Sequence, residues 1–265
     1  MHVTLISGLF AVFFYLMSSF FQGLNFTSKK DLKTGVFTFA AIAVAAHAIS
    51  AYGVIKTADG YHFGIFEIST LIAASISLLV LISAIRKPLD NLFLGLFPLA
   101  IITIIASLTI SSDFPATNLN FGMASHVLIS ILAYSYITIA ALQAAFLAFQ
   151  SHQLKHHHVS SLIKKLPPLQ DMESFMFELL WVGQILLSIG IITGLTFIDQ
   201  SLETDGVIHK TFFSSLAWII FSGLLWGRHR LGWRGRTAIR GTLTGFGLLI
   251  IGFYGSKFVI EYLLV

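Results

Sequence analysis

Cysteine is absent from the 265-residue chain. Disulfides, thiolate metal sites, covalent haem attachment through C-x-x-C-H and cysteine nucleophiles are thereby excluded. Charge is scarce as well: 11% of residues are Asp, Glu, Lys or Arg, against roughly 25% in an average soluble domain. A soluble protein of this size could not build its surface from so few charges, whereas lipid-facing helices need none. Also missing are a P-loop, a dinucleotide fingerprint, H-E-x-x-H and G-x-S-x-G, so nothing points to hydrolysis or phosphoryl transfer, and no enzyme is expected.

What the chain has instead is 56% apolar residues, and these gather into long runs. Runs able to cross roughly 30 Å of hydrocarbon fall at about 3–24, 35–55, 63–85, 91–110, 122–149, 174–198, 209–227 and 240–264. The expected fold is therefore an all-α, polytopic membrane bundle of about eight transmembrane helices, organised as a single domain over 1–265. Breakers stand at the joints: Lys29-Lys30-Asp31, Lys56 to Gly60, Arg86-Lys87-Pro88, Ser111 to Pro115, Ser151 to Asp171, Asp199 to Gly206 and Arg228 to Arg240. The first run lacks a basic flank and a small-residue cleavage site, so a retained helix is expected rather than a signal peptide.

If the helices alternate in direction, thirteen of the sixteen Lys and Arg residues lie on one side, leaving Lys56, Lys210 and Lys257 on the other. By the positive-inside rule the richer side is cytoplasmic, which makes both termini extracytoplasmic.

Against this apolar background, His47, His126 and His209 stand inside or at the lip of membrane runs. An ionisable side chain at that depth is costly and marks a functional candidate. The topology puts His126 about one turn below the outer surface and His209 at the start of the seventh helix. His47 lies roughly 8–12 Å deep at a rise of 1.5 Å per residue. All three thus belong to the outer half of the membrane.

Imidazole ligates haem iron and also suits zinc, copper and iron. His47 is flanked at helical spacing by Ala43, Ala46, Ser50 and Ala51, and His126 by Gly122, Met123, Ser130 and Ala133. Such faces leave room for a planar ligand, and they equally let two helices approach closely. For each histidine the ordinary alternative is an interhelical hydrogen bond. His62 is a weaker site candidate, and Glu67 a possible partner for a buried histidine. The run His156-His157-His158 beside Lys155 reads as a solvated face, and His229 as interfacial.

Arg228, Arg230, Arg234, Arg236 and Arg240 interleave with Trp226 and Trp233. Anionic lipid is the first explanation for such a juxtamembrane cluster, and nucleic acid is not expected as a partner. Lys257 and Glu261 are four residues apart, which suits a local ion pair; a contact from Lys257 to a haem propionate is the alternative.

Several segments carry a family resemblance. They are Arg86-Lys87-Pro88-Leu89, His126 to Tyr134, Leu166-Pro167-Pro168-Leu169, His209-Lys210-Thr211, Ser214 to Trp218, Gly227-Arg228, Gly232 to Ala238 and Gly255-Ser256-Lys257-Phe258. In this order and spacing the chain resembles the cytochrome c assembly membrane protein family related to CcsA and CcmC, and within it the HemX/YpjD-like branch.

The resemblance implies a haem-handling protein of a bacterial cytoplasmic (inner) membrane, with outer-face histidines as iron ligands. His126 matches the first ligand position, and His209 lies where the family signature is expected. The tryptophan-rich W-x-W-D segment has no counterpart, since Asp205 to Thr211 reads D-G-V-I-H-K-T; this removes the usual ground for expecting haem delivery to apocytochrome.

The expectation is a carrier or regulator of non-covalent, b-type haem, ligated by two of His47, His126 and His209. Another membrane protein of a haem or cytochrome pathway would be its partner. The alternatives are a transporter or ion-transport accessory using the same histidines and Glu67 as a proton or metal relay, and a purely structural scaffold.

Overall fold

The structure is a computed structural model that describes residues 2–27, 32–87, 92–110, 115–156, 166–196 and 204–263. Its helices are α1 (His2–Thr27), α2 (Lys33–Ile55), α3 (Ile65–Arg86), α4 (Phe93–Thr109), α5 (Phe121–Lys155), α6 (Leu169–Thr196), α7 (Thr204–Arg230), α8 (Arg236–Ile250) and α9 (Ser256–Tyr262). A π-helical turn, Ile251–Gly255, joins α8 to α9 without a break, so that they form one rod. Counted this way there are eight helical rods among the described residues, as the hydropathy pattern predicts, and the fold is an all-α membrane bundle.

Among the described residues six of the rods are long and apolar enough to cross a membrane, while α4 is a shorter apolar helix of 17 residues. Helices are what such runs must form, because hydrocarbon offers the backbone no hydrogen-bonding partner. One face of α1 shows the result: Ile6, Phe10, Phe13, Leu16 and Phe20 all point outward, each more than half exposed.

Helix ends depart from the hydropathy limits where polar residues continue a helix. α5 runs on to Lys155, α7 begins at Thr204 and α8 begins at Arg236. His209 therefore lies inside α7 rather than at its start. The joint at Lys56 to Gly60 is a two-stranded antiparallel hairpin, β1 (Lys56–Thr57) and β2 (Gly60–Tyr61), not an irregular loop. Gly60 turns it at φ 137°, a conformation that strongly favours glycine. Tyr61 pairs with Thr117 as well, and the Lys56 ammonium lies 4.2 Å from the Tyr61 ring centre. The joints Lys29-Lys30-Asp31, Pro88, 111–114 and 199–203 lie outside the described residues.

The helices fall into two compact units, α1–α4 in one and α5–α9 in the other. In the first, small residues let α1 meet α2. A Cβ on Gly8 would lie 2.7 Å from Leu108 and 2.8 Å from Ser50, Gly53 is packed on Thr4, and the Ser50 hydroxyl donates to the Thr4 carbonyl. The face of α2 formed by Ala43, Ala46, Ser50 and Ala51 is buried. Aromatic stacking fills the core: Tyr15 and Phe93 each lie 4.7 Å from Phe97.

In the second unit α6 presents Gly183, Gly190 and Gly194 to Ile137, Ser130 and His126 of α5. The π turn is held from α5 too, because the Tyr134 hydroxyl donates to the Leu249 carbonyl and its ring lies 5.2 Å from Phe253.

The α7–α8 connection is fastened by charge. Glu173 of α6 accepts from Arg228 at 2.7 Å with one oxygen and from the Gly235 backbone N–H at 2.9 Å with the other. Arg228 lies 4.7 Å from the Phe177 ring centre, while Gly227 lies under the Trp233 ring. Gly232 and Gly235 turn the chain with φ of 67° and 56°, the second at ψ −121°.

A side chain at Gly235 would be strained at about 1–3 kcal/mol. Gly235→Ala is therefore expected to lower the thermal midpoint of the detergent-solubilised protein. Gly223→Ala is expected to leave it unchanged or raise it, since nothing crowds that site in the middle of α7 and alanine favours helix by up to about 1 kcal/mol.

Candidate functional site

His47 is fully buried in the first unit, and both ring nitrogens are engaged. Nδ1 lies 3.1 Å from the Tyr15 hydroxyl of α1 and Nε2 lies 2.9 Å from the Thr70 hydroxyl of α3. A neutral imidazole has one donor and one acceptor, so one hydroxyl accepts from the ring and the other donates to it. Thr70 follows Glu67 by three residues on α3, and both are buried. Three helices thus meet at one imidazole. Its small-residue neighbours serve helix packing, as described above for the buried face of α2.

His126 belongs to the second unit. Asn120 starts α5 by accepting from the Met123 N–H at 2.8 Å, an N-cap that puts His126 in the second turn. Nδ1 lies 3.0 Å from the Thr193 hydroxyl of α6. That hydroxyl is itself within 2.8 Å of the Ile189 carbonyl and 3.2 Å of the Gly190 carbonyl. With its proton on one of these carbonyls, the hydroxyl can accept from a protonated Nδ1 of His126. In that tautomer the lone pair is on Nε2. Gly194 makes room for the ring, since a Cβ there would stand 3.1 Å from His126 Cε1.

His209, in the second turn of α7, is exposed. Each of the three histidines thus has its own surroundings. Among the described residues no three His, Asp or Glu side chains converge to hold a metal ion.

Of the remaining candidates, His62 is partly buried beside the hairpin, where its N–H donates to the Ile55 carbonyl. The cluster of five arginines divides in two: Arg228 is tied to Glu173, whereas Arg230, Arg234, Arg236 and Arg240 are exposed. Lys257 and Glu261 form the expected i,i+4 pair at 3.8 Å, yet both side chains are almost completely buried rather than interfacial. His229 is exposed. His157 and His158 lie outside the described residues.

Sequence reasoning missed Tyr15, Thr70 and Thr193, the residues that orient His47 and His126. Their hydroxyls lie on other helices at sequence separations of 32, 23 and 67, and no local spacing pairs them with a histidine.

Replacing the His47 imidazole strands two hydroxyls in an apolar core, at about 1–3 kcal/mol for each group left unsatisfied. His47→Ala is expected to lower the thermal midpoint markedly and Tyr15→Phe less, as read by unfolding in detergent.

Comparison with known proteins follows the same outline. The inner membrane protein YpjD of Escherichia coli K12 is 29% identical over 224 residues, 83% of this chain and 84% of that protein. An uncharacterized 28.8 kDa protein of Azospirillum brasilense is 29% identical over 224 residues, 81% of this chain and 82% of its own. Protein HemX of Brevibacillus brevis is 28% identical over 137 residues, 50% of this chain and 49% of its own. No solved structure matches. The family model described as cytochrome C assembly protein matches residues 35–264, from the start of α2 to the end of the last rod, and the chain belongs to that family.

Proposed function

We propose that this protein binds haem within an inner membrane as a carrier or regulator, with His126 as the principal iron ligand. The observation that carries the reading is the hold of Thr193 on His126 Nδ1. A metal-ligating histidine is ordinarily oriented by a hydrogen bond to its other nitrogen, and in this reading Thr193 would play that part while Nε2 would hold the iron. Gly194 lets the imidazole lie close against α6, which fixes the position of the ring. The donor chemistry therefore fits haem, and family membership makes haem the favoured ligand.

In this reading His209, exposed on α7 of the same unit, would supply a second ligand to the iron. His47 could join only by giving up Tyr15 or Thr70, so its role is to tie three helices together. Haem would bring redox-active iron and visible absorbance; the chain's own part is to orient the imidazole and exclude water. The charge asymmetry supports an orientation with both termini and the His126 end of α5 outside. No catalytic role is assigned.

A second reading is favoured by one observation, the buried chain of hydroxyl, imidazole and hydroxyl through Tyr15, His47 and Thr70. Such a chain suits a proton relay. It requires a colourless protein and a pH-dependent flux that His47→Ala abolishes.

The test is an absorption spectrum of full-length protein in detergent after haem supply. A Soret band is expected for the wild type, lost in His126→Ala, weakened in His209→Ala and kept in His47→Ala. Thr193→Val should keep the band with affinity lowered roughly 10-fold or more. A wild type without a Soret band, or an undiminished band in His126→Ala, would overturn the proposal.

A further inference from the structure

α5 is longer than a membrane requires. Its 35 residues span about 52 Å at 1.5 Å per residue, against roughly 30 Å of hydrocarbon. His126 stands near its first turn, and 26 residues on, about 39 Å along the axis, stands His152. The helix is thus long enough for its far end to stand clear of the opposite membrane face. There His152 and His156 come together one turn apart, with ring centres 4.5 Å apart and planes tilted by 44°. Both are exposed. The backbone of the turn is closed beneath them by the His156 N–H donating to the His152 carbonyl at 3.2 Å.

We propose that His152 and His156 form a binding site for a divalent transition metal ion, separate from the haem reading and from His126. Two histidines at i and i+4 on one helical face are the spacing by which a helix chelates zinc. Neutral imidazole suits zinc, copper and nickel. Both rings are exposed, so small rotations of their side chains bring one nitrogen from each to the roughly 2 Å that a metal bond requires. The helix has already fixed the spacing, and little ordering remains at the moment of binding.

Two protein ligands leave the other coordination positions to water. The site is accordingly exchangeable, and copper(II) binds it more tightly than nickel(II) or zinc(II). A metal bridging the two rings also clamps the last turn of α5.

The experiment uses the full-length, haem-free protein in detergent, titrated with copper(II) or zinc(II) salts by calorimetry, with electron paramagnetic resonance of the copper form. One ion per chain is expected at this site, with nitrogen coupling from two imidazoles. His152→Ala and His156→Ala should each weaken binding at least about tenfold, because each halves the protein ligand set. Lys155→Ala, between them, should change it less than twofold. Both histidines are exposed, so the variants keep the fold, which the thermal midpoint verifies. Absence of binding, or binding that His152→Ala leaves unchanged, would overturn the proposal; the latter outcome would assign the metal to other histidines.

Discussion

Hydrocarbon provides no hydrogen-bonding partner, so a polar group carried into it is costly unless another part of the chain answers it. That constraint accounts for much of the architecture. Hydroxyls inside the helices fold back on their own carbonyls, as in Ser75 to Leu71, Ser135 to Ile131, Ser188 to Gln184 and Thr242 to Ala238. Polar groups with longer reach cross between helices. Gln184 donates to the Trp218 carbonyl and to the Ser222 hydroxyl, and the Trp218 indole returns a bond to Ser188. His47 is the fullest case, with both nitrogens answered by different helices. The same need for a partner brings His126 onto the Thr193 hydroxyl of α6.

Since apolar attraction between helices is weak in lipid, close approach must come from shape. Glycine supplies it where α5 crosses α6 and where α1 crosses α2. Aromatic side chains fill the space that glycine opens: Phe221 packs on Gly245, Trp233 on Gly227, Phe213 on Gly252. At the α7–α8 turn charge replaces shape. There a single carboxylate answers both a guanidinium and a backbone N–H, and two glycines with positive φ let the chain double back. This use of Arg228 separates it from the four exposed arginines around it, which keep the character expected of residues that meet anionic lipid.

The number of rods and their all-α character were legible in the sequence because hydropathy reports length and polarity, the two quantities a membrane imposes. The ends were less legible. His209 sits inside α7 and Arg236 opens α8 because a helix continues through polar residues once it leaves hydrocarbon, where hydropathy carries no signal. Of the candidate histidines, depth could be read from the sequence but surroundings could not. Small residues beside His47 are compatible with a ligand slot or a helix contact, and only the packing of α1 against α2 shows that they are used for contact. His152 was overlooked for a different reason: it stands apart from the run 156–158 in sequence and beside His156 only on a helix.

The π turn at Ile251–Gly255 has a consequence for how the last rod is to be aligned with other chains. In a regular α-helix each residue turns the face by about 100°, so one extra residue would swing everything after it away from its partners. A turn closed at i+5 takes up that residue locally. Lys257 and Glu261, the buried residues of α9, thereby keep their facing toward the bundle, in the phase of a helix one residue shorter. Relatives with an uninterrupted final helix should accordingly align with a one-residue gap inside 251–255, and the chemistry on either side of the gap should stay in register.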